Sequence, residues 1–216
     1  MNKKAVIEWQ YLPPVQYFSK WVLYDTIILE NQENYRKGSY RNRTYIAGAN
    51  GPLRLSIPLR KGKNQQRSIR DVEIAYDQPW PQQHWGSIQS AYGSAPFFPF
   101  YADELAPLFQ ERPARLIEWN HQFLTILLEL LGLSAELPTT RAWARRVPPD
   151  TDDLRNIVHP GKHPSVSDPH FIPKPYMQVF AEKHGFLPNL SILDLLFCAG
   201  PESYSILEAS IPNRTG

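Results

Sequence analysis

The chain has 216 residues, of which 42% are hydrophobic and 20% charged, and it carries 21 prolines, 11 glycines and a formal net charge of +2. This composition favours one globular domain and argues against a disordered chain. The small net charge gives no support by itself for nucleic-acid binding. Because Cys198 is the only cysteine, no intrachain disulfide can form, and this is typical of a reducing compartment. The most apolar stretch, residues 123–133, is too short to span a bilayer, so we expect a cytoplasmic protein without a membrane span.

The chain opens with the pattern of a β-α-β unit. Residues 5–7 and 26–30 form short apolar runs of strand length. Between them, the large apolar side chains within 15–22 recur at near-helical spacing, which predicts a short helix.

A β-hairpin is predicted next. Strands at 43–46 and 53–57 flank Asn50-Gly51, a dipeptide that is common in tight turns. Residues 72–76 alternate between apolar and polar side chains and predict one further strand.

Helical spacing replaces strand alternation from residue 80 onward. It predicts helices around 85–92, 97–110 and 116–131, and a final buried helix at 190–197. The stretch between the last two helices is long, irregular and rich in proline, as in a functional loop, a partner-facing loop or a simply mobile one. We therefore predict an α/β fold, with a mixed α+β arrangement as the alternative and the strand order open. The predicted domain spans 1–216, with a strand-rich part at 1–78, a helical part at 79–134, an irregular part at 135–190 and a final helix at 191–198.

The leading candidate for ligand binding lies in a basic stretch, residues 36–70, which contains no Asp or Glu. Guanidinium groups form paired hydrogen bonds with phosphate or carboxylate, and an amide adds a neutral donor and acceptor. If residues 41–46 are extended, Arg41 and Arg43 share one face and Asn42 lies on the other. The alternative is a solvated strand edge kept soluble by its charges. The predicted ligand residues are Tyr35, Arg36, Lys37, Arg41, Asn42 and Arg43.

Three further side chains are candidates for a role in catalysis or binding. His84 is the best acid–base candidate because imidazole titrates near neutral pH, and Ser87 would share its helical face. The alternative for His84 is a hydrogen-bonded structural histidine. Asp194 lies within an apolar helix, so we expect it to form a buried salt bridge, with one of the arginines as its partner, or to face a cleft.

No metal site is predicted. His159, His163 and His170 lie near Asp168, but they lack the fixed spacing of a metal-binding motif. The sequence also contains no glycine-rich nucleotide loop and no Gly-x-Ser-x-Gly element. A nucleotide cofactor held by one of the standard loops is therefore disfavoured, and the cofactor is unknown. Cys198 follows an apolar helix and is expected to be a core residue.

Several short strings follow one another from near the start of the chain to about residue 203. They are Tyr11-Leu12-Pro13-Pro14, Tyr35-Arg36-Lys37, Tyr40-Arg41-Asn42-Arg43, Leu55-Ser56-Ile57-Pro58, His84-Trp85, Ala95-Pro96-Phe97-Phe98 and Leu190 to Phe197 ahead of Gly200-Pro201. In this order they resemble the WbqC-like family, in particular its shorter Bacteroidetes-type members. The chain departs from the commoner pattern where Ile7-Glu8-Trp9 replaces a His-Gln-Pro element, and where residues 141–175 replace a glycine-containing segment.

The resemblance implies cytoplasmic chemistry on surface polysaccharides or nucleotide-sugars, with a transferase-like enzyme as the first hypothesis. Its substrate would be a phosphorylated or otherwise anionic small molecule, such as a nucleotide-sugar. The second hypothesis is a noncatalytic module that binds an anionic ligand or a partner in the same pathway. Nucleic-acid binding is the third and least favoured, because it needs an open basic strip and no known motif for it is present.

Overall fold

The computed structural model describes residues 3–62, 64–160 and 168–212. Its strands form a three-stranded parallel sheet and a separate two-stranded antiparallel hairpin. The strands are β1 (Lys4–Glu8), β2 (Thr26–Glu30), β3 (Arg43–Gly48), β4 (Gly51–Ser56) and β5 (Thr151–Asp153). In the parallel sheet the order is β2-β1-β5, and β3 and β4 are the two strands of the hairpin.

The central strand β1 is almost completely buried. Its residues Ala5, Val6, Ile7 and Glu8 are all inaccessible to solvent or nearly so, as expected for a parallel strand covered on both faces. In the register, Val6 pairs with Ile28 on one side and with Asp153 on the other. The three strands therefore end at a common carboxyl edge, where Glu8 and Glu30 lie side by side.

Seven α-helices pack around these strands in the described part of the chain. They are α1 (Val15–Leu23), α2 (Trp80–Tyr92), α3 (Phe98–Leu105), α4 (Leu116–Leu130), α5 (Ala181–His184), α6 (Ile192–Ala199) and α7 (Ser203–Ala209). The predicted mixture of strands followed by helices is confirmed. None of the helices in the described residues combines the length and the apolarity needed to cross a bilayer.

Three details of the sequence prediction are wrong. Residues 72–76 form isolated bridges instead of a strand. Ile74 pairs with Leu59 and Glu73 pairs with Arg115, and two single bridges to different segments do not make a continuous strand. The irregular stretch contains β5, whose Thr-Asp-Asp sequence has no apolar pattern and is held instead by the free edge of β1. The helix predicted to be the last is followed by α7.

Gly200 ends α6 in a conformation that suits only glycine. Its φ of 55° and ψ of −125° are disfavoured for residues with a side chain, and a Cβ atom would overlap the ring of Phe97. By contrast, Gly86 lies within α2 and a Cβ atom there would meet nothing within 4 Å.

We expect Gly200→Ala to lower the free energy of unfolding by about 2–5 kcal/mol, because it adds backbone strain and overpacking. The matched control, Gly86→Ala, should raise it by about 0.5–1 kcal/mol, because alanine favours the helix. Urea unfolding of both variants measures the difference. Equal effects of the two substitutions would contradict the close contact between Gly200 and Phe97.

Candidate functional site

A basic cleft of about 480 Å³ lies beside the start of β3. It brings together four of the six predicted ligand residues of the basic stretch. Among the described residues, its lining contains two cationic side chains and no acidic one. The lining residues are Tyr35, Lys37, Asn42, Arg43, Leu59, Gly62, Asn64 and Gln66; Lys63, in the same basic stretch, is outside the described residues. We call this space the basic cleft.

Backbone and side-chain hydrogen bonds fix Asn42 in the basic cleft. The Tyr35 hydroxyl donates to Asn42 Oδ1 at 2.8 Å, and Asn42 Nδ2 donates to the carbonyl of Ile57 at 2.9 Å. The Ile57 amide donates in turn to the Asn42 carbonyl at 2.8 Å. Burial raises the pKa of Tyr35, although Arg43 and Arg41 oppose the shift, so its hydroxyl stays protonated and able to donate.

Arg43 brings an unsatisfied donor to the same cleft. Its ε-nitrogen is buried and has no hydrogen-bond acceptor among the described residues. A buried donor without an acceptor costs roughly 1–3 kcal/mol, so such groups are rare in folded proteins. The Arg43 side chain as a whole is only partly buried and lines the basic cleft, where its positive charge attracts an anion.

Arg41 has a different role from the one expected. Residues Tyr40–Asn42 form a 3₁₀ turn instead of a strand, so Arg41 points into the interior while Asn42 and Arg43 both reach the basic cleft. The Arg41 guanidinium is fully buried and donates to both carboxylate oxygens of Glu33, at 2.7 and 2.6 Å. It also donates to Asn156 Oδ1 at 3.1 Å.

A buried carboxylate continues this network to the parallel sheet. Glu8, the last residue of β1, accepts from the Asn156 amide at 2.8 Å and from Gln10 Nε2 at 2.8 Å. Burial on its own would lower the pKa of Arg41, but attraction to Glu8 and the bonds with Glu33 raise it above its ordinary value. Arg41 therefore carries a permanent positive charge inside the protein.

A second cleft, of about 620 Å³, lies at the carboxyl edge of the parallel sheet. We call it the carboxyl-edge cleft. Arg36 lines it, apart from the other predicted ligand residues. The lining residues are Gln32, Glu33, Asn34, Arg36, Trp143, Asp153, Arg155 and Asn156. In open parallel sheets, ligands bind outside the carboxyl ends of the strands. Four lining residues of this cleft come after position 140 and are not among the predicted site residues, because their stretch lacks periodicity: Trp143, Asp153, Arg155 and Asn156. The signal that could have found them is Trp143, which is close to Arg141, Arg145 and Arg146 in the sequence.

His84 lies in the core and lines neither cleft. Its Nδ1 is 3.0 Å from the Tyr11 hydroxyl, and its ring packs edge-on against Trp80 with centroids 4.9 Å apart. Burial lowers the pKa of His84 to about 4, although a hydrogen bond to the backbone of Ser56 opposes the shift. Ser87 does not pair with His84, because its hydroxyl donates to the Gln83 carbonyl at 2.8 Å. The contacts of His84 and Ser87 are therefore those of structural residues and not those of an acid–base pair.

Asp194 is also buried, but its partners are neutral and none is an arginine. Its two oxygens accept from the hydroxyls of Tyr92 at 2.9 Å and Tyr176 at 2.7 Å, and from Gln178 Nε2 at 2.7 Å. Burial raises the pKa of Asp194, and these three donors oppose the shift. The expected salt bridge with an arginine of the basic stretch is therefore wrong.

The histidines after residue 158 do not gather around a metal site in the part of the chain that the structure describes. Asp168 instead forms a buried ion pair with Lys20, with 2.5 Å between the charged atoms. His159 lies close enough to the basic stretch for Arg36 and Arg41 to affect its pKa, which is lowered mainly by burial. His163 is outside the described residues.

Sequence comparison places both clefts inside a known family. Residues 10–159 match the pattern of the WbqC-like protein family, and every lining residue of the two clefts falls within that range. The chain belongs to the WbqC-like protein family. An uncharacterized protein of Mycobacterium tuberculosis is 28% identical to this WbqC-like chain over 226 positions, which cover 94% of the chain and 96% of the relative. No solved structure matches this WbqC-like chain significantly.

The buried ion pair of this WbqC-like protein generates the first prediction for the site. Arg41→Met and Glu33→Gln should each lower the free energy of unfolding by about 3–5 kcal/mol, because each leaves a buried group without its partner. The double variant should lose less than the sum of the single losses, as measured by urea unfolding in a double-mutant cycle. Additive losses would contradict direct pairing.

His84 generates the second prediction, on pH dependence. Its pKa is about 4 in the folded protein and near 6.5 in the unfolded chain, so the unfolded chain binds a proton first as the pH falls. The stabilisation is complete above pH 6.5 and is lost progressively between pH 6.5 and 4. Between pH 7 and 5, the wild type should lose about 2 kcal/mol more unfolding free energy than His84→Gln does.

Urea unfolding at the two pH values measures this difference. Ser87→Ala, which removes a neighbouring hydroxyl on the same helix but no titratable group, serves as the control and should follow the wild type. Identical pH dependence in the wild type and His84→Gln would show that His84 is not held neutral in the core.

Proposed function

We propose that this WbqC-like protein binds a phosphorylated or otherwise anionic small molecule in the basic cleft, with a nucleotide-sugar as the first ligand to test. We further propose that it acts in the cytoplasm as a group transferase in the modification of bacterial surface polysaccharides. The observation that carries the binding step is the convergence of Tyr35, Lys37, Asn42 and Arg43 on one cleft whose described lining contains no acidic residue. The transfer step rests on the family resemblance.

The chemistry of the basic cleft suits a phosphate group. Lys37 is exposed and Arg43 is partly exposed, and together they supply two positive charges to the basic cleft. The volume of about 480 Å³ is within the usual range for small-ligand sites. Phosphate binding here does not require a glycine-rich loop with its backbone donors, because guanidinium and ammonium groups provide the donors instead.

A noncatalytic binding module is the second candidate. It is favoured by the location of His84, which is buried against Trp80 and Tyr11 and lines neither cleft. The described lining residues of the basic cleft include no imidazole or carboxylate that could transfer a proton. The two candidates differ in turnover: with a nucleotide-sugar and a panel of amino-sugar acceptors, mass spectrometry detects a transferred group only if the protein is an enzyme.

A ligand screen by thermal shift, followed by titration calorimetry, tests the binding step. The probes are nucleotide-sugars, nucleoside diphosphates and inorganic pyrophosphate. Arg43→Gln should weaken binding of the best probe by about 10–100-fold, because a hydrogen bond to a charged group contributes about 1.5–3 kcal/mol. Arg41 is unsuitable for this test, because its replacement removes a buried ion pair.

The matched control is Arg54→Gln. Arg54 lies in β4 of the same hairpin, is exposed and lines neither cleft, so its replacement removes the same charge elsewhere. Wild-type affinity in Arg54→Gln together with the loss in Arg43→Gln supports a site in the basic cleft. Equal losses in both variants, or no stabilisation by any of the anions, would contradict the proposal.

A further inference from the structure

We propose that the carboxyl-edge cleft is a carbohydrate subsite that binds the neutral ring of a sugar. The further statement that one ligand extends from this subsite into the basic cleft rests on the proposed function. The sugar subsite itself stands on the chemistry of its own lining residues, which differs from that of the basic cleft in charge and in aromatic content.

An exposed tryptophan side chain is the first feature that suits a sugar. Trp143 is 55% exposed although it lines a cleft, and the Arg155 guanidinium lies 6.0 Å from the centre of its ring. Arg155 is itself anchored, since it donates to the Ala144 carbonyl at 2.8 Å. A sugar ring has C–H faces that pack on an aromatic face, and an indole supplies a large rigid surface for such a contact.

The charges around the carboxyl-edge cleft are largely neutralised within the protein. Arg155 donates to Asp153 Oδ2 at 2.7 Å and to Glu30 Oε2 at 2.9 Å, while Glu33 is paired with Arg41. The lining contains two acidic and two basic side chains, whereas the described lining of the basic cleft contains two basic and no acidic ones. Apart from the exposed Arg36, the lining charges of the carboxyl-edge cleft are paired within the protein, so a neutral ligand suits it better than an anion does.

Three side-chain amides give this cleft the mixed donors and acceptors that hydroxyl groups require. Gln32, Asn34 and Asn156 each line it. Asn156 is the most firmly held, because it has a φ of 66°, its amide donates to Glu8, and its side-chain oxygen accepts from Arg41. Asparagine is one of the few non-glycine residues that adopts this conformation readily, so the turn holds Asn156 in place without notable strain.

One short segment contributes to both clefts. Asn34 and Arg36 line the carboxyl-edge cleft, whereas Tyr35 and Lys37 line the basic cleft. The segment is extended at Asn34, which bridges to Ser68, and alternate side chains of an extended segment point in opposite directions. The segment 34–37 thus contributes to both clefts with alternate side chains, which is the arrangement that a ligand with a sugar and a phosphate would require.

Saturation-transfer NMR with neutral methyl glycosides of common hexoses and N-acetylhexosamines tests the subsite without any phosphate. We expect saturation transfer to the ring protons of at least one glycoside in the wild type and in Arg43→Gln. The signal should fall at least fivefold in Trp143→Ala. The matched control is Phe100→Ala, which removes an aromatic ring that is 73% exposed elsewhere on the surface and should leave the signal unchanged.

Three results would overturn the subsite: no transfer to any glycoside, transfer that persists in Trp143→Ala, or transfer that disappears in Arg43→Gln, which would place the sugar in the basic cleft. Failure of the proposed function appears separately, as unchanged pyrophosphate affinity in Arg43→Gln. The extended ligand is tested by calorimetry, in which Trp143→Ala should weaken a nucleotide-sugar and leave its nucleoside diphosphate unaffected. Equal loss for both ligands would overturn the extended arrangement.

Discussion

The buried charge of Arg41 is the constraint on which the site depends. A guanidinium without solvent must be paired, because an unpaired buried charge costs several kcal/mol. Glu33 meets it with both oxygens and Asn156 with a third contact, while the Arg41 carbonyl accepts from Asn120 of α4 at 2.9 Å. The segment after β2, the loop after β5 and helix α4 are therefore fixed relative to one another around one side chain. Glu33 and Asn156 also line the carboxyl-edge cleft, so the same contacts set its shape.

The two clefts illustrate how pairing, more than composition, decides what a polar surface attracts. Both contain arginine, but Arg155 is held by Asp153 and Glu30, whereas Arg43 retains a buried nitrogen without an acceptor. Charges that are neutralised at contact distance leave little field for a ligand. Among the described residues, the charges of the basic cleft are not neutralised in this way. Asn42 and Arg43 lie at the start of the hairpin, which limits the reorganisation that binding requires.

Features whose signal lies in a few neighbouring residues were predicted correctly. Asn50-Gly51 predicted the hairpin because turn preferences are a property of the dipeptide, and four residues of one short stretch did reach one cleft. Arg41 was assigned to the wrong surface because its direction depends on a 3₁₀ turn and on Glu33, which no spacing rule specifies. Strand β5 and Trp143 were missed for a related reason: their roles arise from contact with residues far away in the chain.

The pairing of β1 with β5 has a consequence for synthesis of the protein. Lys4 of β1 emerges from the ribosome well before its partner Thr151 in β5, because the two residues are 147 positions apart in the sequence. At about 5–20 residues per second, this interval lasts roughly 7–30 s. During that time, one side of β1 presents unpaired backbone groups, which other chains can extend as a sheet. Until β5 has been synthesised, the strand that becomes the most buried one in the sheet therefore has an edge open to pairing with other chains.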